Sequence, residues 1–320
     1  MSAIDTTLPA VRSTPEQTAA PPLSLRQITW RRFRRHKMAM AGGLVLLLLI
    51  LYSFGGAILV SETYANFNDT SRRLQPPTWD HPFGTDQIGR DILARTIYGG
   101  QISLLIGLCA VLLELLIGVL VGALAGYYGG WVDSVLMRFT EAVLNIPSLF
   151  LLIVMAKFFG ARIPELSLFG RSFSGSVVVI ILIIGLTSWM YLARIVRARF
   201  LSLKENDFVL AAHATGVPTG RIIFRHILPN TVAPMIVAAT LGIAGAILSE
   251  SYISFLGLGV QPPTATWGNM LERGTKNIAE IGGAPWLWFF PGMLIVLTVL
   301  SINFVGDGLR DALDPRSRTG

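Results

Sequence analysis

Residues 101–126 read QISLLIGLCAVLLELLIGVLVGALAG, and this run decides the fold class. A helix needs about 20 largely apolar residues to cross a hydrocarbon layer roughly 30 Å thick. The run exceeds that length and carries a single ionisable residue, Glu114, near its middle. Gly118, Gly122 and Gly126 recur every fourth residue and so share one helical face. A face without side chains lets a second helix approach closely, which predicts tight packing within a bundle.

Five further stretches have the same character: Met38–Val60, Val135–Phe159, Ser176–Ala193, Thr231–Val260 and Trp286–Val305. The fifth is too long for one simple span and is expected to end near Glu250, with Ser251–Val260 as a separate segment. The first outlasts the 7–15-residue apolar region of a cleaved signal and follows a long polar tail, so it reads as a permanent anchor. The whole chain agrees. Its 320 residues are 52% hydrophobic and only 14% charged, with a mean hydropathy of +0.59, against about 25% charged in ordinary globular chains. This excludes a disordered chain or a disulfide scaffold and argues against a soluble enzyme. Cys109, the single cysteine, sits in the apolar run as a packing residue, and no Cys/His cluster has metal-ligand spacing.

Orientation follows from Lys and Arg. The tail Met1–Lys37 carries seven, the segment 194–230 six, the C-terminal tail three, and Arg138 flanks a short loop on the same side; the intervening loops carry eight. The expected fold is therefore an all-α integral membrane protein of six helices with both termini in the cytoplasm. The same distribution explains the net charge of +7 without nucleic acid and lets the basic tail lean on anionic headgroups. The aromatic groups Tyr127, Tyr128 and Trp131, and Trp286 and Trp288, suit two headgroup levels.

The chain divides into a basic tail (1–37, with Met1–Leu25 expected to be disordered), a first helix and outer loop (38–98), a five-helix transmembrane region (99–309) and a C-terminal tail (310–320). In the outer loop, HPFGTDQIGRDILARTIYGG (81–100) suggests a short amphipathic helix from Asp86 onward, with Ile88, Ile92 and Ile97 on its apolar side.

Catalytic patterns are missing from the sequence. No Gly-rich loop ends in Gly-Lys-Ser/Thr, so ATP is not bound by this chain in that way, and no Ser–His–Asp set or HExxH pattern occurs. His36, His81, His213 and His226 all lie outside the expected spans. Within spans, Glu141 and Lys157 suit snorkelling toward an interface. Glu114 and Glu250 are open to two readings, lining a solute path or packing as protonated or hydrogen-bonded groups, because a charge at the bilayer centre costs at least about 2.5–3.5 kcal/mol.

Residues 201–230, LSLKENDFVLAAHATGVPTGRIIFRHILPN, read as two short helices within the segment 194–230. Asn206 or Asp207 can cap the first. Gly216 can take the left-handed conformation that ends it, and Pro218 suits the start of the second. Arg221 and Arg225 bracket Ile222–Phe224, and Pro229 is expected to interrupt the second helix.

LAAHATG (210–216), followed by Leu228-Pro229, resembles the EAA motif of ABC importer permeases: Glu-Ala-Ala, three residues, Gly, nine residues, Ile, one residue, Leu-Pro. Ala211, Ala212, Gly216, Leu228 and Pro229 match; Leu210 stands where the family has Glu, and His226 where it has Ile. The 81–100 run, GYYGGWVDSVLMR (126–138), ISFLGLGVQPPTATWGNML (253–271) and VGDGLRDALDPR (305–316) are similar to signatures of the peptide and nickel transporter permeases, of the second of its two permease types. The resemblance implies a type I importer fold in which Asp207, Leu210, Ala211, Ala212, Gly216, Arg221, Leu228 and Pro229 belong to a cytoplasmic coupling helix and its supports. It further implies a homologous second permease, two ATPase subunits that bind ATP and Mg, and an extracytoplasmic binding protein, in the cell membrane of a prokaryote. Di- and oligopeptides are the implied solutes, with nickel chelates or other small solutes as the alternative. Asp207 or Glu205 is a candidate replacement for the polar contact missing at Leu210. A stand-alone secondary transporter would call for more intramembrane charges and internal repeats than the sequence offers.

Overall fold

The computed structural model describes residues 24–159, 164, 166–168, 171–276 and 284–314. The disorder expected for the first residues therefore lies outside the described residues, except at Ser24 and Leu25. The rest of the tail is ordered as helix α1 (Leu25–Arg35). Its start is fixed by a reciprocal cap, in which the Gln27 N–H donates to Ser24 Oγ at 3.3 Å and the Ser24 N–H to Gln27 Oε1 at 3.0 Å. His36 then caps α2 (Lys37–Ile50) through Nδ1, which accepts from the Ala39 N–H at 3.0 Å.

The first apolar helix continues through a π-helical turn (Leu51–Gly55) into α3 (Gly56–Leu59). The widened turn frees the Ser53 carbonyl, which accepts from Gln101 Nε2 at 2.7 Å, so a groove that would be costly in an apolar setting becomes an anchor. A short helix α4 (Glu62–Asn66) leads to a loop that closes on Asp91. Here the structure differs from the sequence reading. Asp86–Arg90 is a turn, and helix α5 (Ile92–Tyr128) starts at the Asp91 cap and runs 37 residues without a break, so no separate amphipathic helix forms.

The expected third span is not one straight helix. It splits into α6 (Gly130–Leu144) and α7 (Ser148–Phe159), bent by 83°. Pro147 explains the break: it lacks an N–H and pushes the preceding residue out of the helical region. After α7 comes the one pair of strands among the described residues, a hairpin of β1 (Leu166–Leu168) and β2 (Arg171–Phe173) with Ser167 opposite Ser172. Helix α8 (Gly175–Lys204) carries Arg194, Arg197, Arg199 and Lys204, which the sequence reading assigned to a loop. Charged residues end a membrane span but not a helix, since Arg and Lys are good helix formers.

Helices α9 (Asp207–Ala214) and α10 (Thr219–Arg221) follow, and a π-helical stretch (Ile222–Ile227) joins α10 to α11 (Leu228–Phe255). Pro229 sits in the first turn of α11 and does not interrupt it: the wide turns before it absorb the missing N–H. Ser251–Phe255 continues α11, and the chain leaves the helix at Gly257, so no separate segment begins at Ser251. Helix α12 (Trp267–Lys276) and helix α13 (Trp286–Leu313) complete the chain. Five of these helical runs are long and apolar enough to cross a membrane, and the α6–α7 pair makes a sixth if the bent pair counts as one crossing.

The centre of the bundle is the α5–α8 pair. A Cβ at Gly118 would lie 2.9 Å from Leu192 Cδ2, at Gly122 2.5 Å from the Ala193 carbonyl oxygen, and at Gly126 2.5 Å from Phe200 Cβ. The seam read in the sequence is therefore real. From the other helix, Gly185 faces Leu113 in the same way. Around the seam, Ile106, Ala110, Val111, Ile180, Ile183 and Ile184 form one buried cluster, and Leu192, Val196 and Phe200 a second. The other side of α5 is a row of exposed leucines, Leu105, Leu108, Leu112, Leu116, Leu120 and Leu124, as a lipid-facing surface requires.

Replacing Gly122 with Leu should separate α5 from α8 at a cost of about 1–3 kcal/mol or more, the usual range for overpacking. Thermal unfolding of the detergent-solubilised chain should show a lower midpoint and reduced recovery. Gly245→Ala, where nothing lies within 4 Å of the new Cβ, should match wild type.

Candidate coupling site and buried carboxylates

Helix α5 runs from the 61–91 loop to Tyr128, and the 61–91 loop and the start of α13 meet where Trp286 Nε1 donates to the Thr85 carbonyl at 3.2 Å. The opposite end of the bundle carries α9 and α10, and α1 reaches that end too, since Arg32 donates to the Asp314 carbonyl at 3.1 Å.

Helix α9 is held there as a rigid piece. Its C-terminus closes in the two-bond pattern expected for a left-handed cap: Gly216 N–H to the His213 carbonyl at 3.0 Å, Val217 N–H to the Ala212 carbonyl at 3.1 Å. Gly216 has φ of +76°, a conformation that costs a residue with a Cβ about 1–2 kcal/mol. Asn206 occupies the N-cap position but makes no side-chain hydrogen bond there. Val209 and Ala212 turn inward onto Val196, Phe200, Ile222, Ile223 and Ile227. Asp207, Leu210 and Ala211 fall on the opposite, exposed face, with Gly216 and Arg221 exposed beside them. Leu228 is half-buried and Pro229 exposed where α11 begins. The eight motif residues thus gather at one end of the bundle, and Ala212 is the one that faces the core.

Two contacts at this end, one of them on α9 itself, were not legible in the sequence. Tyr127, at the end of α5, stacks on His213 with ring centroids 6.2 Å apart and places its hydroxyl 3.2 Å from Nε2. Arg197 on α8 makes a two-point ion pair with Asp133 on α6, at 2.5 and 2.6 Å, the strong geometry for this pair. Neither contact leaves a spacing signal, because the partners are 86 and 64 residues apart.

The two carboxylates inside α5 and α11 differ. Glu250 is fully enclosed. It accepts from Ser254 Oγ at 2.7 Å and Ser103 Oγ at 3.3 Å. Ser103 in turn accepts from the Trp267 N–H at 3.2 Å, and Ser254 from the Val260 N–H at 3.3 Å. One carboxyl therefore ties α5, α11 and the start of α12 together. Thr266 and Asn269 cap α12 reciprocally, at 3.0 and 3.1 Å, and Trp267 Nε1 donates to the Thr96 carbonyl at 2.9 Å. Glu114 is 9% exposed, its carboxyl lies beside Gly242, 3.2 Å from where a Cβ there would stand, and it has no hydrogen bond or ion pair among the described residues. Glu141 and Lys157 are exposed.

With this geometry in view, the comparisons with known proteins become specific. Residues 118–319 match the family described as binding-protein-dependent transport system inner membrane component, and residues 24–77 match the N-terminal TM domain of oligopeptide transport permease C. The chain belongs to this permease family. It is 41% identical to the dipeptide transport system permease protein DppC of Bacillus subtilis over 298 residues, covering 93% of this chain and 88% of that one. It is 43% identical to the oligopeptide transport system permease protein OppC of Escherichia coli over 297 residues, 92% of each. Two solved structures of the inward-facing MetNI methionine ABC transporter share the fold at 20% identity, with TM-scores of 0.51 and 0.50, over 68% of this chain and 94% of theirs. As a family member with five to six apolar helices, the protein is a multi-pass membrane component of a transport system.

Glu250→Ala should destabilise the folded chain by about 2–5 kcal/mol, because it opens a cavity and strands the hydroxyls of Ser103 and Ser254. Glu250→Gln, which keeps the volume and one acceptor, should lose much less. Thermal unfolding of the two variants side by side checks this.

Proposed function

We propose that the chain is the non-catalytic transmembrane permease subunit of an ATP-driven importer for di- and oligopeptides, forming half of the translocation pathway. The observation that carries this reading is the identity of 41–43% to named dipeptide and oligopeptide permeases over about nine-tenths of both chains. In this reading the chain crosses a prokaryotic cell membrane six times, with α6 and α7 together as one bent crossing and both termini in the cytoplasm. The excess of Lys and Arg at the α1/α9 end supports that orientation. A homologous second permease completes the pathway, two ATPase subunits bind ATP and Mg beneath it, and a binding protein delivers solute from outside.

Helix α9 is the coupling element. Asp207, Leu210 and Ala211 face the ATPase, and Leu210, where the motif has Glu, offers an apolar contact instead of a charged one. Val209 and Ala212 seat the helix on α8 and the π-helical stretch, so a push on α9 moves both, and Tyr127 passes the push to α5. Alternating access then arises from rigid-body rocking between two packed states, and ATP acts through its different affinity for them. Glu114 is the candidate for the pathway wall, whereas Glu250 holds elements together.

The test is reconstitution with the neighbouring permease and ATPase genes and a binding protein. Peptides should stimulate ATP hydrolysis of the complex; a stable complex that ignores peptides but responds to a metal chelate would reassign the solute. Gly216→Pro, which cannot reach a positive φ, should leave membrane insertion intact and abolish uptake. Glu114→Gln should reduce uptake severalfold at equal protein amount.

A further inference from the structure

The 81–100 motif has a use that neither coupling nor the pathway absorbs. Its turn is built around Asp86, whose Oδ1 accepts from the N–H groups of Ile88 and Arg90, both at 3.0 Å. Its Oδ2 accepts from Arg90 Nε and Nη2, both at 2.7 Å. This one carboxylate is thereby committed to Arg90. Five residues on, Arg95 is 3% exposed, and its guanidinium donates to the neutral Asn66 Oδ1 at 3.0 Å. Among the described residues no carboxylate lies within ion-pair distance of Arg95. A third cation, Arg273 of α12, is brought alongside when Gln87 Nε2 donates to its carbonyl at 2.7 Å.

Arg90, Arg95 and Arg273 surround a cavity of about 20 Å³ whose other walls include Asp86, Met270 and Leu287. Among the described residues the charges lining it sum to two positive; Glu272, which acts on Arg273 from outside the cavity, offsets one at most. Burial, with the like charge of Arg90 beside it, lowers the pKa of Arg273. A guanidinium does not shed its proton to escape such a setting, and a buried cation without a counter-charge costs several kcal/mol. Something negative is needed. The space suits one small ion, because a cavity of 10–15 Å³ already holds a water.

We propose that the cavity between Arg90, Arg95 and Arg273 binds a single monatomic anion, chloride, which locks the 81–91 turn to α5 and α12. The anion sits at the end of the bundle opposite α9, outside the pathway and the coupling surface, and its role is to hold that end closed.

The experiment uses the full chain in detergent. Thermal unfolding is followed while chloride replaces gluconate at constant ionic strength, and bromide is sought by anomalous scattering in crystals. Chloride should raise the wild-type midpoint saturably, and the bromide peak should lie beside Arg95. In Arg95→Gln the half-saturating chloride concentration should rise at least about tenfold. If that variant does not fold, Arg273→Met, at the half-buried edge of the cavity, should show the same loss of chloride response. Equal midpoints in chloride and gluconate, or an unchanged chloride response in the variants, would overturn the assignment.

Discussion

The distance between α5 and α8 governs the rest of the molecule. Helices in a bilayer gain little from the hydrophobic effect against one another, since lipid tails are equally apolar, and they associate through close contact. Gly118, Gly122 and Gly126 allow that contact by leaving no atoms between the two backbones. Once α5 and α8 are in register, Leu192, Val196 and Phe200 are set, and with them the floor on which Val209 and Ala212 of α9 rest. The proposed coupling surface is thus a consequence of a glycine seam that ends at Gly126, one residue before Tyr127 meets His213.

At the other end the controlling interactions are polar. Glu250, Ser103, Ser254, Trp267 and Asn269 hold loop backbone that would be costly in an apolar environment. Their logic is saturation: each hydroxyl that donates to the carboxyl accepts an N–H from the loop side. The Asp86–Arg90 and His81–Asp91 pairs do the same for the turn before α5, with Asp91 also capping that helix. Rigid polar joints at one end and a seated helix at the other leave the long apolar helices as the parts that can tilt.

Much of this was legible in the residues, and the reasons differ by feature. The seam was legible because small residues at a four-residue period have one geometric meaning. The end of α9 was legible because Gly216 supplies a positive φ and Pro218 the next start. The bend in the third span was not legible because hydropathy sums side chains and ignores Pro147, which breaks a helix without changing its apolarity. Helices α5, α8 and α13 run past the apolar stretches read in the sequence, since a helix outlasts the bilayer that ends its apolar run. Glu250 is open to two readings in the sequence because its partner Ser103 lies 147 residues away and only the fold brings the two together. The Tyr127–His213 contact was not legible for the same reason: His213 is its neighbour in space alone.

The continuity of α10, the π-helical stretch and α11 has a mechanical consequence. Thr219–Phe255 forms one helical path, about 50 Å long at about 1.5 Å per residue. It is a lever with its short handle beside α9 and its far end in the Glu250 joint. A tilt of about 5° over that length displaces one end by about 4 Å relative to the other, close to the height of one helical turn. A displacement of that size is enough to shift a packed side chain from one niche to the next. The π-helical stretch matters because a break at Pro229 would have made a hinge, and a hinge absorbs motion that a lever transmits.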